Sequence, residues 1–189
     1  TTPYRRWDKL KKSTMSFGQG IVMSPIQLAT AFSAVINGGV LYKPYLVEKI
    51  TDDNNIVIRR NLPTPVRQVI SPEVSREMRD ILESVVRDGT AKKGDVEGYR
   101  VGGKTGTAQL STKGGYLKSD YLASFIGFFP ADKPKYVVLV MFMKPKGETV
   151  FEKYGGATAA PVFGEIVRRI TKNKNILSQD IAKISEIKN

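Results

Sequence analysis

Tyr136-Val137-Val138-Leu139-Val140-Met141-Phe142-Met143 carries no charge and lies between Pro134 and Pro145. A run this short and this apolar, fenced by prolines, reads as a β-strand covered on both faces. A sheet with such a strand needs helices on each side. Two further strand candidates precede it, residues 100–109 and 121–129, the second stopped by Pro130. Their connections, 110–120 and 130–135, are short enough for antiparallel neighbours.

The upstream sequence supplies helices. Ser24-Pro25 is a hydroxyl N-cap followed by proline at the first helical position. Ile26, Leu28, Ala29, Phe32, Val35 and Ile36 then make an apolar face, and Asn37-Gly38-Gly39 ends it. Residues 41–50 and 56–59 read as short strands around the turn Asp52-Asp53-Asn54-Asn55. Pro63 and Pro65 break the chain. Ser71-Pro72 starts a second helix, with Val74, Met78, Ile81, Leu82 and Val85 at helical spacing as far as about Arg87. Residues 157–171 read as a third helix, with Pro161 near its start and Arg168, Arg169 and Lys172 near its C-terminus. Residues 1–15 read as an irregular polar lead-in, 16–20 as a glycine-flexed loop, and 176–187 as an amphipathic tail helix.

The chain has 189 residues, 41% hydrophobic and 25% charged, which suits one globular domain rather than a disordered segment. No apolar run approaches the ~20 residues that span a bilayer, and the first residues do not read as a signal peptide. Any membrane anchor of the parent protein is expected upstream. With no cysteine and no histidine, thiolate metal sites and histidine catalysis are unavailable to these residues. No metal and no cofactor is expected, and acid–base work falls to Lys, Tyr, Asp or Glu. The formal charge is +12. It fits a solvated basic surface or attraction to a polyanion, but the cations are spread rather than clustered with aromatics, so no nucleic-acid partner is expected.

The stretch that carries chemistry is Val101-Gly102-Gly103-Lys104-Thr105-Gly106-Thr107-Ala108-Gln109. Lys104 sets a compact cation beside the strand. Thr105 and Thr107 alternate, so their hydroxyls share a face and can grip one carboxylate. Gly106 between them lets a backbone approach closely. An extended peptide can then add to this margin as a further strand, with the Thr107 N–H as a candidate oxyanion donor. Ala108 and Gln109 continue the surface such a ligand would touch. A bare Lys-Thr-Gly triplet recurs by chance; here its glycine-rich and hydroxyl flanks and the strand context narrow the reading.

These residues resemble the transpeptidase domain of class B penicillin-binding proteins, of the septal or elongation type. The matching stretches, in the family's order, begin with 13–20, Ser24-Pro25-Ile26-Gln27-Leu28-Ala29 and Asn37-Gly38-Gly39. They continue with 101–109, 123–130, and Tyr154-Gly155-Gly156 through Ala159-Ala160-Pro161-Val162-Phe163. They cover residues 13 to about 170. The resemblance implies an α+β fold: a five-stranded antiparallel sheet flanked by helices, of the penicillin-binding protein and β-lactamase kind, incomplete in this chain. Residues 1–189 would be the C-terminal part of that single domain. It also implies a reaction, in which a serine attacks the D-alanyl-D-alanine end of a peptidoglycan stem peptide and the acyl group passes to a neighbouring stem. β-Lactams trap the acyl form. By resemblance Lys104 is the active-site cation, Thr105 and Thr107 bind the carboxylate, and the Thr107 N–H is half of the oxyanion hole. Gly106, Ala108 and Gln109 complete the substrate-binding strand.

The family's two other motifs, Ser-x-x-Lys and Ser-x-Asn, are not found in a usable place. Ser185-Glu186-Ile187-Lys188 lies one residue from the chain's end and reads as a chance match. This chain alone is therefore expected to be inactive, with the upstream half of the domain as its first partner. That half would also cover the otherwise bare edge of strand 136–143. Stem peptides, β-lactams and cell-wall synthesis or division proteins are the other expected partners. The expected location is the extracytoplasmic face of the bacterial cytoplasmic membrane. A D,D-carboxypeptidase, a β-lactam sensor of the same fold and a non-catalytic basic module remain alternatives. Tyr154-Gly155-Gly156 reads either as a border of the site or as close helix–sheet packing. Asp95, Glu97 and Asp120 read as solvated surface carboxylates without partners.

Overall fold

The computed structural model describes residues 7, 9–16, 18, 21–112 and 115–173. The tail helix read at 176–187 and the Ser185–Lys188 match lie outside these residues. Among the described residues four helices, α1 (Lys9–Ser16), α2 (Pro25–Ile36), α3 (Pro72–Arg87) and α4 (Gly155–Asn173), accompany seven strands. The strands are β1 (Val40–Tyr42), β2 (Lys49–Thr51), β3 (Val57–Arg60), β4 (Pro65–Gln68), β5 (Gly102–Thr112), β6 (Gly115–Phe129) and β7 (Tyr136–Met143). The chain divides into two compact units, Ser24–Met78 on the one hand and Thr1–Met23 with Arg79–Asn189 on the other.

In the first unit α2 starts as its sequence dictates. Ser24 Oγ accepts the Gln27 N–H at 3.3 Å and Gln27 Oε1 accepts the Ser24 N–H at 2.9 Å, a reciprocal cap. Gly38 and Gly39 leave the helix with φ of +96° and +90°, where a side chain would be strained. The single strand expected over 41–50 is instead two, β1 and β2, separated around Pro44, which has no N–H to give a ladder. The break expected at Pro65 is the first residue of β4, a position where a missing donor costs little. β4 pairs antiparallel with β1, and β3 with β2. Ser75, on the first turns of α3, is fully buried. Its Oγ donates to the Val35 carbonyl at 2.7 Å and accepts the Gly38 N–H at 2.9 Å, so it ties α3 to the end of α2.

The second unit is built on the antiparallel sheet β5-β6-β7. β6 pairs with β5 along most of its length and with the whole of β7. The connection expected over 110–120 is mostly strand, because β5 continues to Thr112 and pairs with Gly115. α4 crosses one face. Phe125, Phe129, Phe163 and Val167 are buried there, and the Phe125 and Phe163 rings lie 4.8 Å apart. Gly127 must be glycine, since a Cβ would sit 2.6 Å from the Phe163 ring. Phe128 points to the other face, where the Glu83 backbone of α3 comes within 3.2 Å of the place a Gly102 Cβ would take. Arg100 grips Glu83 through two hydrogen bonds of 2.7 and 2.6 Å, and this carboxylate pushes the guanidinium pKa up.

Two further expectations need correction. Residues 9–16 form a helix rather than irregular chain; Lys, Leu and Met favour helix even where no apolar period announces one. β7 is covered less than its composition suggests. Val140 is 8% exposed, but Met143 is 72% exposed, and β7 is a sheet edge. Among the described residues this sheet has three strands where the resemblance implies five.

Ser75→Ala leaves the part-buried Val35 carbonyl and Gly38 N–H without their shared hydroxyl. It is expected to lower stability by about 1–3 kcal/mol in urea unfolding, and a loss below about 0.5 kcal/mol would contradict the tie between α2 and α3.

Candidate functional site

β5 runs along one margin of its sheet, so its residues are reachable from outside. Lys104 and Gln109 are exposed, and Thr105, Gly106, Thr107 and Ala108 are half-buried. The motif strand is thus neither sealed in the core nor merely surface. Pairing with β6 sets the direction of each side chain. Thr105 lies opposite Phe125 and Thr107 opposite Ala123, so both threonines face the side of the sheet that α4 covers. Lys104 belongs to the opposite face, but its long stem folds over the edge. Its Nζ donates to the Thr105 carbonyl at 3.1 Å and lies 3.5 Å from Thr105 Oγ1.

Thr105 Oγ1 in turn lies 3.2 Å from Thr90 Oγ1. Lys104, Thr105 and Thr90 therefore form a continuous polar chain across the margin. Thr107 is held differently. Its Oγ1 accepts the Gly155 N–H, at the first residue of α4, at 3.2 Å. That bond spans 48 positions of sequence and fixes the hydroxyl against the helix start.

The glycines around this bond are explained by packing. A Cβ on Gly155 would collide with the carbonyl oxygens of Ser124 and Gly106, and one on Gly156 with the Thr90 carbonyl. The close-packing reading of the Tyr154-Gly155-Gly156 turn thus agrees with the structure. The glycines permit close helix–sheet approach, and Tyr154 lines a cleft shared with Thr105 and Thr107. At Gly106 the neighbour is only the Ser124 hydroxyl, 2.5 Å from where a Cβ would lie, and that group can rotate away.

A cleft of about 410 Å³ opens on the threonine face. Thr90, Thr105 and Thr107 line one part, Phe151, Tyr154 and Gly156 another, and Lys92 and Lys93 a third. Tyr154 is packed edge-on between Tyr121 (6.0 Å) and Phe151 (5.7 Å). Phe151 is carried by a loop that Glu152 ties down. Its carboxylate accepts the N–H groups of Glu148 at 2.8 Å and Thr149 at 3.4 Å, and these bonds hold its pKa below the usual value. The sequence reading missed Thr90, Lys92 and Lys93. The signal available was Gly89-Thr90-Ala91, a small-hydroxyl-small triplet just beyond a helix, but only the tertiary fold brings it to Thr105.

The surface carboxylates separate. Asp120 is paired after all, with Lys144 Nζ at 2.9 Å. Asp95 accepts the N–H of Val96 at 2.9 Å. None of Asp95, Glu97 and Asp120 lines the threonine cleft.

The sequence profile described as the penicillin binding protein transpeptidase domain matches residues 2–168. Stage V sporulation protein D of Bacillus subtilis is 46% identical over 167 residues, which are 88% of this chain and 25% of that protein. A probable peptidoglycan D,D-transpeptidase, PenA of Neisseria meningitidis, is 36% identical over 165 residues, 87% of this chain and 26% of the relative. The chain thus spans about a quarter of the length of these curated relatives. Among solved structures, the transpeptidase domain of Burkholderia pseudomallei penicillin-binding protein 3 superposes with a TM-score of 0.79 at 36% identity, over 95% of this chain and 51% of that one. Penicillin-binding protein 3 of Mycobacterium tuberculosis complexed with ampicillin gives 0.81 at 28% identity, over 95% and 41%.

Gly155→Ala is expected to cost about 1–3 kcal/mol by pushing α4 from the sheet, while Gly106→Ala costs less because only a hydroxyl must turn. Urea unfolding of both variants checks the order, and the reverse order would contradict it. Because the Glu152 pKa is depressed, its hold on the Phe151 loop is fully present above the unfolded value of 4.5 and fades as pH falls through the folded one. Hydrogen exchange at Glu148 and Thr149, corrected for intrinsic rates, should show protection lost on acidification in the parent protein and no such pH dependence in Glu152→Gln.

Proposed function

The chain belongs to the penicillin-binding protein transpeptidase family, and from that premise we propose that it supplies the substrate-holding side of a serine D,D-transpeptidase that cross-links peptidoglycan. The observation that supports this most is the cleft itself, with Thr105, Thr107 and Thr90 on its wall and the Lys104 ammonium at the end of the polar chain through Thr105 and Thr90. Such a surface suits the carboxylate of a D-alanyl-D-alanine end. Thr105 and Thr107 donate to that carboxylate, and Lys104 offsets its charge. The strand from Gly106 through Ala108 to Gln109 pairs with the extended peptide.

The reaction needs a nucleophile, and its source in this reading is a serine in a segment beyond these residues, which bears the Ser-x-x-Lys and Ser-x-Asn motifs. The serine oxygen attacks the penultimate D-alanine carbonyl. The Thr107 N–H, opposite the developing negative charge, stabilises the tetrahedral oxyanion. The peptide C–N bond then breaks, and D-alanine leaves with the serine proton on its amine. An amine of a second stem attacks the resulting ester, forms the cross-link and returns the serine hydroxyl. β-Lactams enter as substrate mimics whose ring opens onto the same serine. In this reading the parent protein works on the outer face of the cytoplasmic membrane with other wall-synthesis or division proteins. No helix among the described residues is itself long and apolar enough to cross a membrane.

A fluorescent penicillin tests the proposal. Labelling is expected for the complete domain and not for residues 1–189 alone, with the adduct on a serine outside this chain. Lys104→Ala should slow acylation by about 100-fold or more, and Thr107→Val by about 10- to 100-fold. Unchanged rates in both variants would remove these roles. With an amine acceptor present, release of free D-alanine and no cross-linked dimer would favour a carboxypeptidase. Salt-sensitive DNA binding without any labelling would favour a basic binding module.

A further inference from the structure

The threonine cleft is more cationic than the motif strand requires. Lys92 and Lys93 form, with Gly94, a short 3-10 turn two residues after Thr90. Both are exposed and both line the cleft that holds Thr105 and Thr107. No carboxylate of a described residue shares that lining. The nearest acid in sequence, Asp95, is turned to the N–H of Val96, and neither lysine forms an ion pair with another described residue. Gly94, at the end of the turn, is buried, and a Cβ there would lie 3.2 Å from the Ala160 carbonyl oxygen of α4. The turn is therefore seated on the same helix that fixes Thr107. The two ammonium groups are thus presented from a fixed base to one mouth of the cleft.

Resting on the acyl-transfer reading above, we propose that Lys92 and Lys93 are specificity-determining residues: an electrostatic rim that draws a peptide's free terminal carboxylate into the cleft before the threonines bind it. Two like charges beside a low-dielectric wall raise the local concentration of an anionic ligand and its association rate. They act at a distance, through solvent. Their effect is therefore large where the Debye length is ~30 Å, at about 0.01 M salt, and small where it is ~3 Å, at about 1 M. A residue that merely supports the fold has no such salt dependence.

The test uses the complete domain containing this chain and benzylpenicillin, whose single carboxylate stands in for the peptide end. The second-order acylation constant is measured from low to high salt in the parent protein, in Lys92→Gln/Lys93→Gln and in Lys92→Arg/Lys93→Arg. The glutamine pair is expected to be about 3- to 10-fold slower at low salt and to converge on the parent as salt rises. The arginine pair should restore the low-salt rate. An identical salt response in parent and glutamine pair would overturn the inference, as would a loss that is constant with salt and not rescued by arginine. In both cases acylation persists, so the acyl-transfer reading would stand. Absence of acylation in all three proteins would overturn that reading and this inference with it.

Discussion

The close approach of α4 to the β5–β6 pair is the constraint on which the rest depends. Gly155 comes so near the Ser124 and Gly106 carbonyls that a side chain there would have to push α4 from the sheet, and its N–H is spent on Thr107. The same seat carries Gly156 against Thr90. Thr90 is thereby brought to Thr105, and the Lys92–Gly94 turn to the edge of the cleft. Packing further along the helix, Phe163 against Phe125 and Gly127, keeps α4 from sliding. In the proposed reading, a surface made of short hydroxyls needs this support, because a threonine displaced by an ångström would no longer meet its ligand.

What could be read from the sequence was what is local. The Ser24 and Ser71 caps with their prolines located α2 and α3. The apolar period fixed the extent of α3, and the uncharged run 136–143 coincides with β7. The Lys104-Thr105-Gly106-Thr107 stretch, with its glycine flanks, is legible as a strand from its own neighbouring residues, and β5 contains it. What stayed hidden was set by distant partners. β4 forms because β1 offers it a ladder, despite two prolines nearby. The edge exposure of β7 depends on what lies beside it, which its own composition does not state. Thr90 joins Thr105 only through the fold.

Charge follows the same division. The net +12 of the chain says little on its own. Some of its cations are paired locally, as where Arg168 and Arg169 both reach Glu165 and lower its pKa. Such exposed pairs contribute little to stability. In the proposed reading, the cations that matter for chemistry are Lys92 and Lys93, beside a cleft whose described lining includes no acid. Hydroxyls there would supply directed hydrogen bonds at contact and ammonium groups would supply range, so that a carboxylate ligand would benefit from both at different stages of its approach.

The central claim is that the threonine face of β5 receives an acidic peptide end while the attacking oxygen comes from elsewhere. A crystal structure of the complete domain acylated by benzylpenicillin tests it most directly. The account predicts the drug's carboxylate about 3 Å from the Thr105 and Thr107 hydroxyls, with Lys104 alongside. A carboxylate bound away from both threonines, with their cleft unvisited, would contradict it.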